Sequence, residues 1–94
     1  MLKLTFSNNA AEDLENILLF YKNISQEYAE EFYAEVLVAQ GHIVVFPDIF
    51  AKSNAEIKRA NLRKYPFSLF YKNNGKVITV LRVLHQSMDP HNWP

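Results

Sequence analysis

Apolar and polar residues alternate from Leu2 to Phe6, with Leu2, Leu4 and Phe6 on one side and Lys3 and Thr5 on the other. A period of two over five residues predicts a half-buried strand. The period then changes. Leu14, Ile17, Leu18 and Tyr21 recur at i, i+3, i+4 and i+7, which predicts a helix running to about Lys22. Ser7-Asn8-Asn9 supplies N-cap candidates, and Asn9 followed by Glu12 resembles a capping box, with Glu12 and Asp13 at the positive end of the helix dipole. Asn23-Ile24-Ser25 breaks the pattern, and Ser25 suits the cap of a second helix. That helix carries Ala29, Phe32, Tyr33, Val36 and Leu37 on one side and runs through Ile43 and Val44 until Pro47 forbids continuation. Two helices so briefly interrupted form a hairpin, whose apolar stripes need a surface to cover.

The second half supplies it. Residues 48–55 read as a loop, and residues 57–65 as a strand with Arg59, Asn61 and Arg63 on one face and Lys58, Ala60, Leu62 and Lys64 on the other. Pro66 interrupts. Phe67 to Lys72 is the next strand, Asn73-Asn74-Gly75 a hairpin turn, and Val77 to Leu84 a run apolar on both parities except at Thr79 and Arg82. Such a run predicts a central strand covered on both faces. The order is β-α-α-β-β-β: an α+β fold, a two-helix hairpin on a small, mainly antiparallel sheet. Residues 1–94 form one domain, without linker, repeat or low-complexity segment.

Charge changes the picture. Residues 52–94 hold eight Lys/Arg against two acids, and residues 1–51 hold two against eight, so a net charge of zero hides halves of +6 and −6. Such asymmetry points to an anionic partner. There is no cysteine, which excludes disulfides and thiolate metal sites. No apolar run is long enough to span a bilayer, and the N-terminus lacks a secretory hydrophobic region, so the expectation is a soluble cytoplasmic protein. With two glycines in all there is no phosphate-binding loop, and His42, His85 and His91 lack metal-ligand spacing, so neither cofactor nor metal is expected.

The candidate chemistry gathers in residues 56–93. A strand would set Arg59 and Arg63 about 13 Å apart on one face, a spacing suited to phosphates or carboxylates and equally to a solvated edge strand that resists aggregation. Arg82, among apolar neighbours, either joins them or pairs with a helix glutamate. His85, at a strand end, is a general acid or base or else a surface histidine. Glu56 is a base candidate or a neutraliser of Lys58 or Arg59. Trp93 is expected to fold back and plug the core, the other reading being a platform for an RNA base.

Longer motifs sharpen this. The chain combines Ala10, Asp13, Leu14 and Ile17 on the first helix with Ser25, Ala29 and Phe32 on the second. IKRANLRKYPFSLFY follows at residues 57–71 and VLRVLHQSMDPHNW at 80–93. Together they resemble the RelE/ParE superfamily of bacterial type II toxin–antitoxin toxins, most closely the ParE-like branch. The resemblance implies a toxin sequestered by a cognate antitoxin. The target would be DNA gyrase in ParE-like members and messenger RNA in the ribosomal A site in RelE-like ones; an inactive antitoxin-binding relic is the third reading. In the endonuclease case the resemblance places functional residues at Arg59, Arg63, Arg82 and His85, with Glu56 near an acidic base. No metal is needed there, because the 2′-hydroxyl is the nucleophile. The chain departs from the pattern at Met88, where the family's H-x-x-R-D-P tail carries an arginine, and it lacks the terminal catalytic tyrosine or histidine pair of some cleaving members. Both departures favour the ParE-like reading.

Overall fold

A computed structural model describes residues 2–54 and 56–94. In chain order it comprises β1 (Lys3–Phe6), α1 (Asn8–Ile24), α2 (Gln26–Val45), β2 (Ala51–Lys52), β3 (Lys58–Asn61), β4 (Phe67–Asn73) and β5 (Val77–His85). A 3-10 turn at Pro90–Asn92 follows. The sheet has five strands in the order β1-β5-β4-β3-β2. β1 runs parallel to β5, and the other neighbours are antiparallel.

Ser7 joins strand to helix. Its amide donates to the Val80 carbonyl at 2.9 Å, and its hydroxyl donates to the Leu81 carbonyl at 2.9 Å. The same oxygen accepts the Ala10 amide at 3.1 Å, which makes Ser7 the N-cap. The Asn9–Glu12 capping box therefore does not form, because a cap already tied to β5 starts the helix at Asn8 and leaves Asn9 inside it. α1 also outlasts Lys22, reaching Ile24. Ser25 alone separates the helices: extended, it donates to the Tyr21 carbonyl at 2.8 Å and caps α2 through its hydroxyl.

The core lies between the hairpin and one face of the sheet. Ala10, Phe32, Val36 and Ile43 from the helices meet Ala60, Leu62, Leu69, Tyr71, Ile78, Val80 and Val83, all buried. Tyr21, Phe32, Tyr65 and Phe67 close one end edge to face, with Tyr21–Tyr65 centroids 5.1 Å apart and Phe32–Phe67 5.7 Å apart. The expected stripe on α2 is narrower than its spacing suggests, for Tyr33 and Leu37 stand 43% and 48% exposed. β5 is a central strand, flanked by β1 and β4, with Ile78, Val80 and Val83 in the core and Leu84 buried on the other face.

Two expectations are corrected. Residues 48–55 are not all loop, because Ala51 and Lys52 pair with Arg59 and Lys58 as an edge strand; Ala55 lies outside the described residues. The strand expected over residues 57–65 ends at Asn61. The Leu62 amide still reaches the Phe67 carbonyl, but the Arg63 and Lys64 amides turn to one oxygen of the Glu35 carboxylate on α2, Lys64 at 2.8 Å. A carboxylate taking two amides is a stronger acceptor than a continued edge ladder.

Candidate functional site

The face of the sheet turned away from the helices carries Arg59 and Asn61 of β3, Ser68, Phe70 and Lys72 of β4, and Arg82 and Leu84 of β5. Register aligns Arg59, Phe70 and Arg82 in one row, with the arginines about 10 Å apart at ordinary strand spacing. A parallel row sets Asn61, Ser68 and Leu84 together, where the Ser68 hydroxyl donates to Asn61 Oδ1 at 2.5 Å. The chain's last residues fold over this surface. The Trp93 ring lies 5.3 Å from Phe70, and the Arg59 guanidinium sits 4.4 Å above it. Trp93 thus covers the sheet's outer face instead of entering the core beneath the helices.

Arg82 is paired. A register shift between Phe70 and Tyr71 leaves Leu81 as an extra residue on β5. Beyond it the Arg82 guanidinium grips Asp13 of α1, Nε to Oδ2 at 2.7 Å and Nη2 to Oδ1 at 3.0 Å. Oδ2 also accepts the Val83 amide at 3.0 Å, on the edge that β1 leaves open once it ends at Phe6. The hydrogen bond to Asp13 holds Arg82 charged above its ordinary range, against an opposing effect of burial. The expected salt bridge to a helix acid is present, with aspartate as the acid.

The other candidates are dispersed. Arg63 lies past the end of β3, on a groove with His42, Phe46, Ile49, Phe50 and Asn61, so it does not share a strand face with Arg59. His85 registers opposite Phe67 and packs edge-on against it at 5.2 Å, on the helix side of the sheet. Its Nδ1 accepts the Ser87 amide at 3.0 Å and lies 2.6 Å from the Ser87 hydroxyl. Glu56 borders a groove with Lys72, Asn73 and Asn74, at the far end of β4. Phe67 and Asn73 mark the two ends of that strand, about 20 Å apart at strand rise, so Glu56 and His85 do not meet. Among the described residues no cluster of three His, Asp or Glu has metal-holding geometry. No helix among them is long and apolar enough to cross a membrane.

A second surface was only half legible. Between α1 and α2, on the side away from the sheet, Leu18, Leu19, Ala29 and Tyr33 line a groove of about 360 Å³ rimmed by Glu15, Lys22, Gln26 and Glu30. Of these, Leu19 and Tyr33 stand 57% and 43% exposed. A contiguous apolar patch rimmed by charge marks an interaction surface. Sequence pointed to the hairpin but not to the residues left uncovered.

The family described as ParE toxin of type II toxin-antitoxin system, parDE, matches residues 4–90. The chain belongs to the ParE toxin family. A solved structure titled "Chromosomal ParDE TA system from P. aeruginosa" shares the fold, with a TM-score of 0.78 and 24% identity over 90% of this chain and 96% of that one. Comparison with curated proteins gives no match. Membership makes the chain a type II toxin.

Proposed function

We propose that this toxin arrests growth by binding DNA gyrase, without cleaving RNA, and that a cognate antitoxin neutralises it through the hairpin groove. The observation that carries the choice of target is the dispersal of the candidate catalytic groups. Cleavage at a 2′-hydroxyl needs a proton acceptor and charge-stabilising donors around one phosphate. Here His85 lies on the helix side of the sheet and Arg59 on the other, while Arg82 is committed to Asp13. Glu56 stands at the opposite end of β4 from His85. What remains on the outer face is cationic and aromatic surface, suited to binding.

The groove supports the antitoxin half of the reading. An amphipathic helix laid between α1 and α2 would bury Leu19 and Tyr33, while acidic stretches of the same partner would meet the basic half of the toxin. Apolar burial sets affinity, and complementary charge speeds association.

Inducing the chain in a bacterium tests the target. The expected result is a DNA-damage response with intact transcripts, together with inhibition of supercoiling by purified gyrase. Cleaved messages with normal supercoiling would transfer the case to an mRNA endonuclease, and undisturbed growth to an inactive relic. Co-expression of the neighbouring gene product should restore growth and yield a complex.

A further inference from the structure

Residues 89–94 cross the outer sheet face with few ties. Asp89 closes the 3-10 turn by accepting the His91 amide at 3.0 Å. Asn54 Nδ2 donates to the Pro94 carbonyl at 2.8 Å, and Trp93 lies between Phe70 and the Arg59 guanidinium. The last strand pairing ends at His85, and residues 89–94 add no strand to the sheet. Meanwhile the Trp93 indole Nε1 is buried without a hydrogen-bond partner among the described residues. A buried indole ordinarily finds an acceptor for its N–H, and one that does not is held less firmly than its apolar area implies. Among the described residues the packing on Phe70, a cation–π contact and an amide–carbonyl bond from Asn54 are weak clasps beside a five-stranded core.

We propose that residues 89–94 form a strap that lifts as a unit before the rest of the fold opens, uncovering Phe70 and freeing Arg59. Trp93 packs on Phe70 under the Arg59 guanidinium, so docked the strap masks this part of the face and lifted it presents an aromatic ring beside an unengaged guanidinium. Its regulatory meaning rests on the reading of this face as target-facing, whereas its test does not.

Trp93 is the chain's single tryptophan, so its fluorescence reports on the strap alone, while far-ultraviolet ellipticity reports on helices and sheet. In a urea titration of the full chain, the red shift and acrylamide accessibility of Trp93 should be complete before ellipticity falls. Arg59→Ala should move the fluorescence transition to lower urea and leave the ellipticity midpoint in place. Asn54→Ala, which removes the Pro94 contact, should do the same and serves if Arg59→Ala misfolds. Coincident transitions in the unmodified chain, or a fully solvated emission without urea, overturn the strap. Coincident transitions with loss of toxicity in Arg59→Ala sink the strap and spare the target reading. Separate transitions with unchanged toxicity do the reverse.

Discussion

The Asp13 carboxylate accepts from Arg82 Nε, Arg82 Nη2 and the Val83 amide, joining α1 to β5 where β1 has run out. Removing it orphans a guanidinium and a strand amide together. Asp13→Ala should lower stability by about 2 kcal/mol in urea unfolding, near the low end for such pairs, because the Arg82 side chain is 38% exposed and rehydrates. Arg82→Ala should cost at least as much, since it strands the better-buried Asp13 carboxylate, 16% exposed. If both substitutions are neutral, the pair is ornamental. Tyr71 offers a test by pH. Its hydroxyl donates to the Pro47 carbonyl at 2.6 Å, and burial, reinforced by Asp48, pushes its pKa from 10.0 up to about 12. The folded state thus keeps a proton that the unfolded chain gives up. Stability from this group is intact below pH 10 and is lost as pH rises towards 12. Alkaline unfolding should steepen in that window, and Tyr71→Phe should flatten the slope. An unchanged slope in the variant would assign the effect to other groups, Tyr21 and Tyr65 first, since burial raises both.

At the scale of elements, the two glycines should respond in opposite directions. Gly75 has φ of 90° in the β4–β5 turn, where an L side chain is strained, so Gly75→Ala should destabilise by about 1 kcal/mol. Gly41 lies inside α2 with nothing within 4 Å of an added Cβ, so Gly41→Ala should stabilise by up to about 1 kcal/mol. Thermal melts of the two variants check both signs. The helices and the β4–β5 hairpin were legible because their signals are local: a 3.6-residue apolar period, Ser25 and Pro47 as punctuation, Asn73-Asn74-Gly75 as a turn. β3 was read too long because its alternation continues formally through Lys64. What stops it is Glu35, 28 residues earlier in the chain, and no local pattern announces an acceptor at that distance. Asp13 illustrates the same limit. Sequence placed it at the helix dipole, where acids are ordinary, and only the ending of β1 gives it a strand edge to cap. The candidate site was legible as a list of residues but not as an arrangement, since which face of the sheet each occupies depends on register and on the extra residue at Leu81.

Over the whole molecule, charge and apolar exposure are segregated. The helical hairpin holds seven acids and one lysine alongside the apolar groove, while eight of the ten Lys/Arg belong to the strands and loops that follow. Association with an antitoxin through both regions should therefore show two separable dependences. Raising salt from 0.05 to 0.5 M should slow association several-fold with little effect on dissociation (about the span over which screening removes long-range steering). Leu19→Arg, at a side chain 57% exposed in the groove, should instead speed dissociation at least tenfold while leaving the free toxin's melt unchanged. Equal complex lifetimes for the variant and the parent would remove the groove from the interface.

The parallel pairing of β1 with β5 has a consequence for biosynthesis. Lys3 to Phe6 leave the ribosome long before their partners, Val77 to Val80, are made. Every helix and three other strands must be translated before the first strand has a neighbour, and such distant closure is slow by loop entropy alone. A nascent toxin is thus unable to complete its sheet until β5 has been made. A message broken or stalled before codon 77 yields a chain whose hairpin has no full sheet to rest on. Termination before β5 would leave an incomplete sheet exposed to proteases, and a cell would meet the active toxin only once β5 had been made.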